Sequence, residues 1–410
     1  MGLLMQDINS PNRTLLTKAS GPELDGLFGA YYMNSTTGIT YVRLTDSGNP
    51  TFRVFDQYGP FSIDTNGQSY IRYVNYSTQG LAIDPVGKST GAHIGNQLQG
   101  VTDSKRPVSK NITIENSTIL YSTDAAGTTG IAITLNDGND YFRIRDNEIG
   151  FADNAIYLSC YKEPGPKNTI IENNYIHDIG TRTPGGDAHA VGVQCGQDHI
   201  IQNNYIRNTG SVIEVFIYSA FPIKNVIIRD NFMRNATPHT TMGAGISVTG
   251  SIPYVGDAEN FEISNNIIMD TTDFGISITR IDPIKIFNNV IYNTNTGIRL
   301  DTNAGAPDAI IKNNIIVNAT EYSISVFDNA TGFDIESDNN LFYNPIGKSK
   351  LFHRALGAVS DLSGWQTGLN KDLHSIEANP LFVSSNPQVA SDFKLQQGSP
   401  AIDKGINVGL

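Results

Sequence analysis

A short repeat, Ile-x-x-Asn-x-Ile, recurs along most of the chain and constrains its fold more than any other feature. The interval between neighbouring repeat asparagines runs from 23 residues (Asn266 to Asn289) to 35 (Asn231 to Asn266). Each copy is followed by a second short run of the type Gly-Ile-x-Ile. The repeat asparagines are Asn147, Asn174, Asn204, Asn231, Asn266, Asn289, Asn314 and Asn340.

Period-two alternation in short β-branched runs indicates strands rather than helices. A long series of such strands, with no helical period between them, predicts a solenoid in which each turn pairs in parallel with the next, about 4.8 Å away. We expect the asparagine column to lie at a tight turn. Asparagine tolerates a left-handed backbone, and its side-chain amide can bond to the asparagine of the next rung.

Composition and charge exclude several classes of protein. The 40 acidic residues outnumber the 28 basic ones, for a net charge of −12, which argues against a nucleic-acid partner. No apolar run reaches membrane-spanning length, so we expect no membrane partner. The first residues lack a basic region and a long apolar core, so a signal peptide is expected to be absent or already removed. Two cysteines are too few for a disulfide scaffold or a four-cysteine zinc site.

The repeat resembles the right-handed parallel β-helix of pectate lyases, polygalacturonases and their relatives, over roughly residues 50–345. The resemblance implies an all-β fold, a single-stranded, right-handed, pectin lyase-like solenoid, in a secreted, monomeric, carbohydrate-active protein. It divides the chain into an irregular N-terminal segment (1–50) that begins abruptly, the parallel β-helix (51–345) and a C-terminal capping segment (346–410). The motif Asn379-Pro-Leu-Phe382 through Asp403 resembles the closing segment of secreted bacterial β-helix proteins, and we expect it to cover the open end of the helix.

Turn lengths predict where a binding groove lies. The step from the end of one repeat to the next strand is 15 residues after Ile176 and 13 after Met233, against 7 or 8 in the other rungs. Long turns on one side of a solenoid usually build its binding site. The short rung between them, 211–218, should form the floor, with Glu214, Phe216 and Tyr218 facing outward. By register, Gly192 and Ser247 flank Glu214, and their small size should leave room for a ligand.

The second half of the longer turn carries the sequence Gly185-Gly186-Asp187-Ala188-His189. It is similar to the Asp-Pro-His of mannuronan epimerases and related alginate enzymes, where the His and Asp are catalytic. This similarity implies catalytic roles for Asp187, His189 and, more loosely, Glu214. Ala188 replaces the proline of that motif, and Pro184 stands where the motif has its catalytic tyrosine, so Tyr161 or Tyr218 would have to substitute.

His189 presents a geometric condition. It has the parity of the inward-facing Val191 and Val193, so it reaches the outer face only if the chain bends before Ala190. Without that bend, His189 would be a buried, hydrogen-bonded structural residue.

Two mechanisms remain open. In β-elimination or epimerisation of a uronate polymer, His189 or a tyrosinate would take the C5 proton, and Lys162, Lys224 or Arg280 would neutralise the carboxylate. Tyr218 or Tyr161 would protonate the leaving oxygen. In glycoside hydrolysis, Glu214 would pair with Asp187, with Asp153 or Asp273 as substitutes.

A third possibility is a non-catalytic carbohydrate-binding fibre. In every case the partner is a polysaccharide or oligosaccharide. The predicted substrate-binding residues are Tyr157, Tyr161, Lys162, Gln194, Phe216, Lys224, His239, Arg280 and Arg299.

The remaining signals concern metals, thiols and the other histidines. We expect no cofactor and no metal site. Asp/Asn turns such as 136–140 could bind calcium, but ordinary turn chemistry explains them more simply. Cys160 and Cys195 occupy equivalent positions on adjacent rungs, where either a disulfide or two reduced thiols would fit. His177, His199, His239, His353 and His374 are scattered, and most are expected at the surface.

Overall fold

The structure is a computed structural model of the 410-residue chain. It describes residues 110–409, apart from the segments 121–130, 136–137, 161–163, 181–187, 218–220, 238–242, 251–257, 280–282, 302–308, 328–334 and 355–357. Before residue 110 it describes only the backbones of nine strands. Within the described residues, no helix is long and apolar enough to cross a membrane.

The strands follow one another along the chain with a single α-helix, α1 (Leu362–Leu369), among the described elements. They are β1 Gly2–Asp7, β2 Arg13–Lys18, β3 Ala30–Met33, β4 Thr40–Arg43, β5 Arg53–Tyr58, β6 Phe61–Asp64, β7 Arg72–Val74, β8 Ser77–Gln79, β9 Ala92–Gly95, β10 Lys110–Glu115, β11 Thr118–Leu120, β12 Ile131–Leu135, β13 Asp140–Arg145, β14 Glu148–Gly150, β15 Asn154–Leu158, β16 Ile170–Glu172, β17 Tyr175–Ile179, β18 His189–Val193, β19 Gly196–Gln202, β20 Tyr205–Thr209, β21 Ser211–Ile217, β22 Ile223–Arg229, β23 Phe232–Ala236, β24 Ala244–Gly250, β25 Ala258–Ser264, β26 Ile267–Thr279, β27 Ile284–Phe287, β28 Val290–Asp301, β29 Ala309–Lys312, β30 Ile315–Phe327, β31 Ile335–Asp338, β32 Leu341–Tyr343, β33 Leu351–His353, β34 Ala358–Ser360 and β35 Ile376–Glu377.

From β10 to β33 these strands stack into three parallel sheets, and each rung contributes one strand segment to each sheet, while β34 pairs antiparallel with β33. Sheet I is the ten-stranded sheet that runs from β7 through β10, β13 and β19 to β31. Sheet II contains β11, β14, β17, β20 and β23, then the first halves of β26, β28 and β30. Sheet III contains β12, β15, β18, β21 and β24, then the second halves of the same three long strands. The register shift after Thr271 in β26 marks the bend from sheet II to sheet III.

At the corner between sheets I and II, the left-handed backbone and the side-chain hydrogen bonds belong to two neighbouring residues in each rung. The residue just before each ladder asparagine takes the left-handed backbone, as Asn203 does with a φ of 54° and Asp230 with 56°. Asn and Asp tolerate this conformation because their short side chains bond locally. The ladder asparagine itself supplies the hydrogen bonds. The repeat predicts both roles for one residue, whereas the structure divides them between two neighbouring residues.

Each ladder asparagine links three rungs. In Asn204, the backbone N–H and Nδ2 both donate to Oδ1 of Asn231 at 3.0 Å, and Nδ2 also donates to the carbonyl of Ile171 at 3.0 Å. The ladder begins where the N–H of Ser117 donates to Asn147. Because these amides are buried, truncating one would leave partners unsatisfied and should cost about 1–3 kcal/mol.

A buried carboxylate ends this ladder. Asn340 donates from Nδ2 to Oδ1 of Asp372 at 2.9 Å, and Trp365 donates from Nε1 to the other carboxylate oxygen at 2.9 Å. Burial raises the pKa of Asp372, against the hydrogen bonds that favour its ionised form. Asp372 therefore joins the last rung of the ladder to helix α1.

The core is one continuous column of inward-facing isoleucine, valine and leucine side chains that runs the length of the helix. Leu362 and Trp365 of α1 belong to this same core, so α1 closes its C-terminal end. The later segment lies elsewhere, because Phe382 and Phe393 pack against Met269 and Val317 on the outer face of sheet II. The closing motif therefore lies along the side of the solenoid, and the expectation that it covers the open end is corrected.

Candidate functional site

A bend at Ala190 brings His189 to the outer face of sheet III. At the equivalent position of later rungs, a Cβ on Gly245 or Gly275 would lie 2.4–2.5 Å from the inward-facing Ile268 or Ile291, so this position faces the interior. Ala190 and Val191 are both fully buried. Two successive residues therefore face inward, which interrupts the in–out alternation of the strand. This is the bend before Ala190 that His189 needs in order to reach the outer face.

His189 meets Glu214 on that outer face. The two residues lie on neighbouring strands, with Gly192 in direct register with Glu214. Nδ1 of His189 is 2.8 Å from Oε2 of Glu214. This is a hydrogen-bond distance, but the oxygen lies off the direction of the ring N–H, so the contact is a close electrostatic one. Nε2 has no hydrogen-bond partner among the described residues.

Tyr157 completes the arrangement from the preceding rung. Its ring is stacked on the imidazole of His189, with centroids 5.9 Å apart and an interplanar angle of 17°. The ring lies across Gly192, where an added Cβ would sit 2.4 Å from Cδ2 of Tyr157. Gln194 donates from Nε2 to the tyrosine Oη. Tyr157, His189, Gln194 and Glu214 thus form one group, the sheet III cluster.

Glu214 is held in its ionised form. Burial by itself would raise its pKa, but the contact with His189, together with a hydrogen bond from Ser211, outweighs burial and leaves the pKa below its ordinary value. An ionised Glu214 beside Nδ1 favours the tautomer that carries its proton on Nδ1. Nε2 is then an acceptor that can take a proton from a substrate.

Two further contacts fix the strands beneath the cluster. The backbone N–H of His189 donates to Oδ1 of Asn154 at 3.0 Å. A disulfide joins Cys160 and Cys195, just beyond the ends of β15 and β18, with Cα atoms 6.1 Å apart. This settles the two alternatives left by the sequence in favour of a disulfide. The bond ties together the two rungs that carry Tyr157 and His189.

The structure places the other predicted residues unevenly. Phe216 and Arg299 lie on sheet III, as expected. Lys224 lies on β22 of sheet I, where its ammonium pairs with Glu259, so its expected place in the groove is corrected. The space expected beside Gly192 is filled by the ring of Tyr157. Asp187, Tyr161, Lys162, Tyr218, His239 and Arg280 lie outside the described residues.

Asp153 and Asp273, the alternatives to Asp187 in glycoside hydrolysis, lie where they have structural roles. Asp273 accepts a hydrogen bond from the N–H of Gly243 at 2.8 Å, which is a turn contact. Asp153 is completely buried at the start of β15. Neither carboxylate faces Glu214 across one rung, because the register neighbours of Glu214 are Gly192 and Ser247.

Sequence reasoning missed a second histidine environment. His177 of sheet II, expected at the surface, has only 6% of its side chain exposed and contacts Asp178 and Glu148. His199 and His353 are also buried, which corrects the expectation for both. The signal that could have revealed the enclosure of His177, and the packing of the Tyr157 ring over its neighbour, is a glycine in register with each ring, Gly150 and Gly192 respectively. In the described part of the chain, no group of three or more His, Cys, Asp or Glu side chains has the arrangement of a metal site.

Comparisons with known proteins agree with this architecture. A family model described as a right handed beta helix region matches residues 185–353. Together with the three parallel sheets, this match confirms the predicted fold class, a right-handed parallel β-helix.

Several solved structures are similar to the chain at low identity. The alginate lyase from Paenibacillus sp. str. FPU-7 is 15% identical with a TM-score of 0.46, over 70% of this chain and 91% of that one. The tailspike protein of E. coli bacteriophage HK620 in complex with pentasaccharide is 13% identical with a TM-score of 0.45, over 71% of this chain and 58% of that one. PfbA, a surface adhesin of Streptococcus pneumoniae, is 12% identical with a TM-score of 0.40, over 72% and 80%. At these values the likeness concerns the fold alone. No curated protein matches the chain.

Proposed function

We propose that this protein is a secreted carbohydrate-active enzyme that acts by β-elimination, or by the related epimerisation, on a uronate-containing polysaccharide. The observation that carries the proposal is the sheet III cluster. His189 holds Glu214 on one ring nitrogen, leaves Nε2 without a partner among the described residues, and stacks on Tyr157. An acid and a base on one outer face are what proton abstraction with loss of a leaving group requires.

The cluster contains both a proton acceptor and a proton donor for β-elimination. Nε2 of His189 takes the C5 proton, and the electrons of that C–H bond form the C4–C5 double bond as the C4–O bond breaks. The leaving oxygen takes a proton from the Tyr157 hydroxyl. Gln194 donates from Nε2 to Tyr157 Oη and so helps to position that hydroxyl. Glu214 stabilises the imidazolium that forms on His189, as a neighbouring carboxylate does in other acid–base sites.

The state of Glu214 argues against its acting as the general acid of a glycoside hydrolase. A hydrolase needs a carboxylic acid whose pKa is raised so that it can protonate the leaving oxygen. The pKa of Glu214 is lowered instead, by its contacts with His189 and Ser211 against the effect of burial. Its register neighbours, Gly192 and Ser247, supply no second carboxylate.

Secretion is part of the proposal. Disulfides persist in oxidising compartments and are rare in the cytosol, so the Cys160–Cys195 bond supports an extracellular or periplasmic protein. Fractionation of the source cells, with the redox state of the two cysteines measured by thiol labelling, tests this point. Recovery of a reduced protein from the cytosol would contradict it.

The reaction is tested with polymannuronate, polyguluronate, polygalacturonate and neutral xylan. We expect ultraviolet-absorbing unsaturated ends, or a changed epimer ratio by NMR, on at least one uronate polymer and none on xylan. His189→Ala and Glu214→Gln should lower this activity, while the exposed His374→Ala serves as the control. Saturated reducing ends would identify a hydrolase, and retained binding without products would identify a carbohydrate-binding fibre. Either outcome would overturn the proposal.

A further inference from the structure

A second group of polar and aromatic side chains lies on the same outer face as the sheet III cluster. In the column of Glu214, the register runs through Ser247 and Ser277 to Arg299. Three rung spacings of about 4.8 Å place Arg299 roughly 14 Å from Glu214 along the helix axis. We define the Arg299 cluster as Phe274, Arg299, Asp301, Ser325 and Phe327.

Aromatic rings surround the guanidinium of Arg299. Its Cζ atom lies 4.9 Å from the ring centroid of Phe274 and 5.5 Å from that of Phe327. Phe327 in turn lies 4.8 Å from Phe352, centroid to centroid. These rings are half-buried, so part of their surface faces solvent. Guanidinium stacking on aromatic rings fixes the plane of the arginine and aims its remaining donors.

The polar atoms of the cluster are incompletely used. Nη2 of Arg299 donates to Oδ2 of Asp301 at 2.9 Å. Nε of Arg299, Oδ1 of Asp301 and Oγ of Ser325 are shielded from solvent yet have no hydrogen-bond partner among the residues that the structure describes. Ser325 is completely buried and lies in direct register with Arg299. Buried polar groups are normally satisfied, so three such atoms on two neighbouring rungs mark a place where a ligand group is expected.

Small side chains occupy the Glu214 column between the two clusters. The outward residues in the Glu214 column between them are Ser247 and Ser277, whose side chains are small. No large side chain of that column, among the described residues, therefore separates Glu214 from Arg299. Ser247 and Ser277 are themselves buried, but the next outward column, which runs from Phe216 through Thr249 and Thr279 to Asp301, is half-buried. A chain-like ligand that lies along this column can contact both clusters.

We infer that the Arg299 cluster is a distal subsite, which binds a sugar residue of the same polysaccharide chain whose reacting residue lies at His189. This inference rests on the proposed function for the position of the reacting residue. The paired Arg299 and Asp301 offer donors and acceptors without net charge, which suits the hydroxyl groups of a sugar, and the phenylalanine rings suit its apolar face. The enzyme should accordingly prefer substrates long enough to span both clusters.

The test uses size-defined oligomannuronates, oligogalacturonates and xylo-oligosaccharides, from disaccharides to octasaccharides. Arg299→Ala should raise the KM of the longest substrate at least about tenfold and leave its kcat nearly unchanged, because a hydrogen-bonding charged group is lost outside the reacting centre. The shortest cleaved substrate should not respond. Arg207→Ala is the matched control, since Arg207 lies over the Tyr175 ring in the same way on sheet II.

Binding measurements separate this inference from the proposed function. Calorimetric titration of wild-type and Arg299→Ala protein with the same oligosaccharides reports the subsite even if no polymer is cleaved. The near-isosteric Asp301→Asn, checked by thermal unfolding, gives a second variant if Arg299→Ala does not fold. Weaker binding of long oligosaccharides only, in either variant, supports the subsite. Equal effects at all lengths, or no effect in a folded variant, would overturn it.

Discussion

Two outer faces of this solenoid each carry a histidine beside a carboxylate, and the comparison between them shows what separates a reactive pair from a structural one. On sheet III, His189 contacts Glu214 through Nδ1 alone. On sheet II, His177 contacts Asp178 through Nδ1 at 2.7 Å and Glu148 through Nε2 at 3.3 Å. In both places burial would raise the carboxylate's pKa, but contact with the histidine, together with a hydrogen bond from Asn208 or Ser211, leaves that pKa below its ordinary value.

The local construction is also shared. His177 lies across Gly150, as Tyr157 lies across Gly192, and an added Cβ at either glycine would meet the ring within 2.6 Å. His177 is enclosed further by Tyr175, stacked at 4.4 Å, and by Phe151, edge-on at 5.2 Å. With both nitrogens engaged and both sides covered, His177 has no atom left for a substrate. The comparison indicates that an unengaged ring nitrogen, and not a histidine–carboxylate contact in itself, distinguishes a candidate catalytic histidine.

The largest expected effect is that one histidine variant loses activity while the other loses stability. His189→Ala should lower kcat on the uronate substrate about 10³-fold, the scale of a lost general base. His177→Ala should change kcat less than about threefold but reduce the free energy of unfolding by about 2–3 kcal/mol, since it removes an enclosed ring that packs against Tyr175 and Phe151 and leaves a cavity. Initial rates and urea unfolding measure the two quantities. Similar activity losses in both variants would break the comparison.

His199 provides a reference for a histidine that is structural throughout. Burial lowers its pKa to about 4, so the folded protein keeps it uncharged where the unfolded chain protonates it. The unfolded state binds more protons between pH 6.5 and about 4, so stability rises with pH across that window. Acidification should cost roughly 3 kcal/mol through this group.

His199→Leu should remove that part of the pH dependence. Urea unfolding at a series of pH values, wild type against variant, isolates it from the carboxylates that also titrate in acid. A variant with the same pH dependence as the wild type would show that His199 is not the group responsible. Activity at pH 7 should be unaffected, since His199 lies in the core.

The tyrosines give a smaller contrast. Tyr157→Phe keeps the ring on His189 but removes the hydroxyl, and we expect kcat to fall about 100-fold if that hydroxyl transfers the proton. Tyr205→Phe is the control, because Tyr205 is stacked between Tyr175 and Phe232 on sheet II. It should leave kcat within about twofold. Equal activity of Tyr157→Phe and wild type would remove Tyr157 from the mechanism.

The two glycines should produce the smallest effects, again with opposite readouts. Tyr157 is partly exposed and can swing away, so Gly192→Ala should lower activity by about tenfold, with little change in stability. His177 is enclosed and cannot move, so Gly150→Ala should reduce stability by about 1–3 kcal/mol and leave activity intact. Rates and urea midpoints for both variants test this. Loss of stability at Gly192 without loss of activity would contradict the assignment.

Much of the fold could be predicted because its signals are local. The spacing of the asparagines and the alternation of Ile and Val are properties of short segments, and a β-helix repeats one short segment many times. The same reasoning predicted that Tyr157, Gln194 and Glu214 share a face, because register follows from counting along equivalent rungs. It failed for Lys224, which follows a bend that moves it onto sheet I.

The candidate site depends on bends between the sheets, which cannot be predicted by counting residues along the rungs. His189 reaches Glu214 only because Ala190 and Val191 both face inward, which reverses the parity assumed from alternation. Gly192 was expected to leave space, but Tyr157 fills it from the neighbouring rung. The C-terminal motif was expected to cover the end of the helix, yet it follows the apolar surface of sheet II.

By itself the sequence determined that this chain coils into a parallel β-helix. Each rung contains its own strand, turn and asparagine-ladder signals, so the fold can be predicted from local sequence alone. Only the tertiary structure decided which histidine is enclosed and which keeps a ring nitrogen for a substrate. That outcome depends on side chains from three successive rungs meeting on one surface. The bend angle between neighbouring sheets sets those contacts, and the sequence of one rung does not specify that angle.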